Sequence, residues 1–433
     1  MLVLAVIVGA SSALGVLFFY RAISWAHLLL LTYPADWLPW AGLIVFRPVT
    51  TAAAFALAHQ TMRWVGRGHD GLNVPDVQAA VEHRRARIPP RPALGRTLAS
   101  AITIGGGGSA GSEGPVVVAG AALASWLGRM MRIRTDQLRV LVGCGAAAGI
   151  SAAFNAPLAG AFFALEEVLG TFSGAHFSPV VVSSVVAAVV ARGIFGAGPA
   201  FPVPADLGAL RAIEIAVLVP LLGVACAAVA ILFVRTYFRI EALAGQTRIH
   251  ANAVPWLGGA AVGILVLLTG GAVAGDAHVA APLELFGRLP WHLLLALALA
   301  KILATSLTLN TGGSGGVFTP AVFVGAAVGG AFGALVQTLL PGLGVDPALY
   351  ALTGMGVMVA GATGAPITGI LLVFEMTHDF ALVLPLMLAV VLCLTVMRRY
   401  ERDSLYSGWL RRRGSAHAAT APASAAVKPP TPH

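Results

Sequence analysis

The 433 residues are 58% hydrophobic and only 10% charged, against about 25% charged for an ordinary soluble domain. The net charge of +9 is carried by arginines between the apolar runs, such as Arg84, Arg85, Arg129, Arg132, Arg398 and Arg399. That is the pattern of cytoplasmic loops under the positive-inside rule, and it argues against nucleic acid as a partner. Apolar runs long enough to cross the roughly 30 Å hydrocarbon core recur along the chain, and nothing alternates with period two as a membrane barrel requires. The expected class is therefore an all-α polytopic membrane protein.

In chain order, MLVLAVIVGASSALGVLFFY opens without a basic n-region or a small-residue cleavage site and reads as a retained first helix. Residues 42–64 and 210–234 are long enough to span. The segments 114–127 and 157–169 are short and start after glycine, before or at Pro115 and Pro157. Proline suits a first helical turn, where its missing N–H costs nothing, so both are expected as half-helices that begin inside the membrane. Irregular backbone at that depth survives only where it is buried in protein or lines a cavity. The segment 414–433, rich in Ala, Pro and Ser, cannot bury a core and is expected as a disordered tail. Cys144, Cys226 and Cys393 form no CxxC, and the eleven histidines show no ligand spacing; neither a metal nor a cofactor is indicated.

The chain repeats itself. With a shift of 205, Gly107, Gly108, Ser109, Gly111, Pro115, Gly120 and Gly128 fall on Gly312, Gly313, Ser314, Gly316, Pro320, Gly325 and Gly333. With a shift of 209, Pro157, Gly160 and Glu166 fall on Pro366, Gly369 and Glu375. Two ordered blocks at nearly one shift mean two related membrane repeats, placed at 1–205 and 206–413. Transporters built this way carry their substrate site at the repeat interface near the midplane.

The chemistry follows from the glycine-rich helix starts at 111–115 and 315–320. Such a start presents unpaired N–H groups and the positive end of the helix dipole. Two of them converging would bind a small anion without a full positive charge, whereas a lysine or arginine there would hold it too tightly for rapid release. Gly120, Gly128, Gly325 and Gly333 are read as close-packing positions instead. The repeat also sorts the acids. Glu166 and Glu375 match each other and read as structural, while Glu113 faces Phe318 and Glu167 faces Met376. Glu113 is a carboxylate placed where N–H groups point. Ionised, it can occupy the anion site itself; protonated, it yields the site to a free anion, so proton and anion binding become mutually dependent. Lys301, an intramembrane charge in ALALAKILA, is read as structural.

GSEGP, GAAAGISAAFNAPLAGAFFALEE, GGSGGVFTP and SLYSGWL are together similar to the CLC chloride channels and proton-coupled antiporters, over about 1–413. The resemblance implies an inverted-repeat helical fold with re-entrant half-helices, a homodimer with a pore in each subunit, and a multi-pass location in a bacterial inner membrane. It implies chloride or a similar small anion and protons as partners. Glu113 would be the external gate and Glu167 the internal proton-transfer acid. The amides of Val317 and Phe318, with Gly114 on the opposing start, would hold the anion, and Tyr406 would give it a hydroxyl.

Two departures stand out. The family's Gly-Ser-Gly-Ile-Pro reads GLNVP here, so that Leu72, with Asn73 beside it, stands where the anion-coordinating serine belongs. Ser112 stands where arginine is common before the gate, which removes a positive charge from the external approach. The first expectation is chloride/proton antiport. The rivals are an uncoupled channel or a fluoride-type exporter on the same fold, although the fluoride branch is described as lacking the tyrosine and internal glutamate that this chain has. A remote third is an intramembrane hydrolase that uses Ser314 with His278 or His292.

Overall fold

A computed structural model describes residues 1–33, 40–66, 72–196, 210–247, 249–275 and 289–420, with backbone alone at 40–44 and 413–420. Its helices, in chain order, are α1 (Leu2–His27), α2 (Trp40–Trp64), α3 (Val74–His83), α4 (Pro90–Gly105), α5 (Glu113–Met130), α6 (Thr135–Phe154), α7 (Pro157–Phe163) and α8 (Gly174–Phe195). There follow α9 (Val219–Gln246), α10 (Val254–Leu268), α11 (Trp291–Asn310), α12 (Phe318–Leu339), α13 (Pro347–Thr363), α14 (Pro366–Thr377), α15 (Val383–Tyr400) and α16 (Leu405–Thr420). Wider π turns extend α1 and α7 through Thr32 and Val168 and lead into α9 from Glu214. Among the described residues no strand forms, and the one isolated bridge pairs Gly111 with Gly316.

Seven helical stretches among the described residues are long and apolar enough to cross a membrane. Of the two helices expected to be short, α7 is short, whereas α5 runs 18 residues, past the 114–127 expected for it. The α5 helix starts at Glu113, and the α7 segment starts with Pro157 in its first turn and ends at Val168. The junction between the two repeats, expected at 205, lies outside the described residues, as does 421–433 of the expected tail; the backbone of α16 runs helically to Thr420.

Contacts between the halves come in exchanged pairs, as an internal two-fold requires. The Ser109 amide donates to Thr308 Oγ1 at 3.1 Å, and the Ser314 amide donates to Thr103 Oγ1 at 3.0 Å. Ser109 Oγ shares a hydrogen with Thr305 Oγ1 at 3.0 Å, and Ser314 Oγ with Ser100 Oγ at 2.7 Å. The matched acids do the same. Glu166 accepts from the amides of Ile367 and Thr368 at the start of α14, at 3.2 and 3.0 Å. Glu375 accepts from the amides of Leu158 and Ala159 at the start of α7, at 2.8 and 2.7 Å. Each carboxylate caps the half-helix of the other repeat and satisfies donors that have no intrahelical partner.

Within each half a glycine pair lets two helices cross closely. A Cβ on Gly120 would run into the Gly145 carbonyl, and one on Gly145 into that of Gly120; Gly325 and Gly354 stand in the same relation. So α5 lies on α6, and α12 on α13, at backbone distance, which agrees with the packing role read for Gly120 and Gly325. Lys301 is fully buried and donates to the carbonyls of Val273 and Gly275 at 3.1 and 3.2 Å, with its ammonium 5.2 Å from the Phe323 ring centroid. Gly275 in turn donates to the Gly108 carbonyl at 2.9 Å. Lys301 thus ties the segment after α10 to the glycine run before Glu113.

Candidate functional site

The glycine runs let the two halves meet backbone to backbone. The Gly111 amide donates to the Gly316 carbonyl at 2.9 Å, and the Gly316 amide to the Gly111 carbonyl at 2.8 Å. This bridge brings the starts of α5 and α12 together, as the paired motifs predict. Glu113, in the first turn of α5, is fully buried between them. Its Oε1 accepts the Phe318 amide hydrogen at 2.6 Å and its Oε2 accepts from Thr319 Oγ1 at 2.9 Å. A Cβ on Gly111 or on Gly316 would overlap that carboxylate. The acid therefore fills a cradle made of glycine backbone, with its charge at the positive end of α12. The Phe318 ring is elsewhere: it packs 5.8 Å from Phe154 and 6.2 Å from Phe163 by ring centroids, and only its amide serves the site.

Beside the acid lies a cavity of about 50 Å³, lined among others by Asn73, Arg96, Gly114, Val317 and Tyr406, which is room for a small ion. Tyr406, at the start of α16, is 6% exposed, and its hydroxyl makes no hydrogen bond to protein. A buried donor left unpaired is costly, and this one lines the cavity, where an anion would satisfy it. Its helix is held by the Arg411–Asp403 ion pair and by Arg412, whose guanidinium lies 4.2 Å from the Phe238 ring centroid. Leu72 is not brought to the cavity; it is buried in the main apolar core, and its neighbour Asn73 takes the lining position.

Arg96 was missed by sequence reasoning, and it corrects the expectation of an anion site free of full positive charge. It is 8% exposed and lines the cavity. Its Nη2 donates to the Gly315 carbonyl at 2.6 Å and to Asn73 Oδ1. These two acceptors draw on the guanidinium, so it sits at the site without being a bare cation aimed into it. A lone arginine in RPALGRTLAS carries no motif, and its partner Gly315 is 219 positions away.

Glu167 lies in the π turn that ends the α7 segment and faces a second, larger cavity of about 280 Å³ with Glu166, Gly364, Arg398, Ser404 and Ser407. The start of α16 stands between the two cavities, with Tyr406 on one and Ser404 and Ser407 on the other. On the opposite approach to Glu113, the fully buried Ser112 shares a hydrogen with Tyr20 Oη at 3.2 Å, and Tyr20 also donates to the Ala153 carbonyl at 3.3 Å. The hydrolase reading finds no support. Ser314 Oγ meets Ser100 and the Arg96 carbonyl, His292 meets Trp291 edge to face, and His278 lies outside the described residues.

The comparisons place the chain in a family and a fold. A family model described as voltage gated chloride channel matches residues 53–398. The chain is 32% identical over 425 residues to a ClcB-like protein of Ralstonia nicotianae, covering 95% of this chain and 97% of that one. It is 30% identical over 433 residues to the H(+)/Cl(-) exchange transporter ClcA of Yersinia pestis, covering 95% and 87%. Among solved structures, that of a slow cyanobacterial Cl-/H+ antiporter superposes with a TM-score of 0.85 at 23% identity, over 96% of this chain and 98% of the other. A CLC-type fluoride/proton antiporter superposes at 0.72 with 21% identity, over 94% and 96%. At these identities the solved structures speak to the fold.

Proposed function

The chain belongs to the voltage gated chloride channel family, and from that premise we propose that it exchanges chloride for protons across a bacterial inner membrane, as a homodimer with one pathway per subunit. The observation that carries this reading is the Glu113 carboxylate on the Phe318 amide and the Thr319 hydroxyl. These donors suit an anion, and the side chain holds them far more strongly while it is ionised. Protonation removes the charge that keeps the acid there, the donors pass to a chloride ion, and deprotonation displaces the ion again. Val317, Asn73 and the Tyr406 hydroxyl line the space that the ion would occupy next. Glu167, facing the larger cavity, would exchange protons with the opposite side, so that proton and anion share the Glu113 end of the path and diverge at α16. The similarity to an exchange transporter over 95% of the chain supports the same reading.

A second reading, fluoride export on the same scaffold, draws on one feature, the loss of the serine hydroxyl at 72–73. Tyr406 and Glu167 favour chloride. Purified protein in liposomes with a chloride gradient, voltage clamped by potassium and valinomycin, decides between them. Protons driven uphill by chloride support exchange. Chloride flux without proton movement means an uncoupled channel, and proton movement driven by fluoride but not by chloride supports the second reading.

A further inference from the structure

We infer that Arg96 and Asn73 form a specificity-determining pair, in which Arg96 turns the Asn73 carboxamide so that its N–H donors, and not its oxygen, serve the anion cavity. The inference rests on the anion-transport reading and adds to it residues that set which anion is preferred. A guanidinium carries donors only, so the carboxamide atom that meets Arg96 Nη2 must be oxygen. The orientation of an asparagine amide is settled by such a partner. With Oδ1 held in this way, the polar group that Asn73 has left for the cavity it lines is Nδ2. The backbone of Asn73 is pinned as well. Its amide donates to Asp76 Oδ2 at 2.8 Å at the start of α3, so the side chain cannot be freed by a shift of the loop.

Arg96 is itself over nine-tenths buried and is tied to the second half of the chain through the Gly315 carbonyl at 2.6 Å. Gly315 directly precedes the Gly316 that pairs with Gly111. One guanidinium therefore couples the α3 start to the loop that cradles Glu113. The unpaired Tyr406 hydroxyl on the same cavity is independent of this pair and points to the same kind of ligand. The two features act together. The carboxamide supplies a donor where Leu72 has none, and the arginine, with its Nη2 occupied by two neutral oxygen acceptors, attracts an anion without ligating it. Arg96 is thus a positioning residue and Asn73 the contact.

The test is calorimetric titration of chloride and of nitrate into the purified full-length protein. Asn73→Asp keeps an oxygen for Arg96 but replaces the donors with a second oxygen, and chloride should bind at least about tenfold more weakly. Arg96→Lys keeps the charge but loses the planar fork. It should weaken chloride and move the chloride-to-nitrate ratio in the same direction as Asn73→Asp. In an Asn73→Ser background, where the hydroxyl needs no orienting partner, Arg96→Lys should leave that ratio where Asn73→Ser alone puts it. The inference is overturned if Asn73→Asp keeps wild-type affinity, or if Arg96→Lys lowers both anions in equal proportion, as a charge or folding role would. If the wild-type protein binds neither anion, the anion-transport reading itself fails and takes the pair with it.

Discussion

The Glu113 carboxylate accepts the amide hydrogen of Phe318, the residue that holds Glu113's own place in the second half of the chain, 205 positions on. The two-fold that builds the protein thus brings together a matched pair whose members differ. One half supplies a helix start with a free amide, and the other supplies the acid that covers it. A symmetric pair would give either two acids repelling each other or two open helix starts. On the proposed reading, this asymmetry is what lets one proton decide whether the site is open or closed.

In the proposed exchange, Glu167, on the larger cavity, passes the proton to the other side. Glu167→Gln keeps the shape of the turn and removes the titrating group, so proton flux in liposomes should fall to background while chloride still moves. The neighbouring Glu166 is committed to capping α14 and should not substitute for it. Retained coupled proton flux in Glu167→Gln would count against the assignment.

Tyr406→Phe separates ligand binding from stability. The hydroxyl makes no hydrogen bond to protein, so its removal should leave the melting temperature in chloride-free buffer unchanged or slightly raised. Loss of a donor to an ion should weaken chloride binding by about tenfold or more, and the stabilisation that chloride gives on melting should shrink accordingly. An equal loss of stability with and without chloride would mean that the tyrosine is a packing residue.

The exchanged caps have a structural outcome. Glu166→Ala and Glu375→Ala each strip two amide donors of their acceptor at a half-helix start, and each should cost about 1–2 kcal/mol. Because the two sites are related by the internal two-fold, the losses should be similar, measurable as a fall in detergent melting temperature. A neutral result at either position would show that solvent, not the carboxylate, satisfies those amides.

Much of this was readable in advance because the repeat made it so. Glycine, serine and proline at matched positions marked the scaffold, and Glu166 and Glu375, matched as a pair, proved to be reciprocal caps. Glu113 stood out, with Glu167, as an unmatched acid, and it lies where the paired helix starts meet. What escaped was whatever depended on contacts between unmatched residues far apart in the chain. Arg96 carries no motif; its meaning comes from Gly315 and Asn73, which only the fold brings to it. Alignment by position pointed to Leu72 as much as to Asn73, but Leu72 turns into the apolar core while Asn73 begins α3 at the cavity. The Lys301 partners, two backbone carbonyls on an irregular segment, leave no trace in side-chain pattern at all.

The central claim is that the Glu113 carboxylate and the transported anion compete for the same donors, and chloride affinity as a function of pH tests it most directly. A protonated Glu113 no longer competes, so chloride should bind more tightly as pH falls through the range where the acid titrates, by up to about tenfold per pH unit. In Glu113→Gln, which has no charge to place on the Phe318 amide, affinity should be at least as tight as the wild-type value at low pH and should not vary with pH. Wild-type affinity that is flat across pH, or a pH dependence that survives unchanged in Glu113→Gln, would contradict the account.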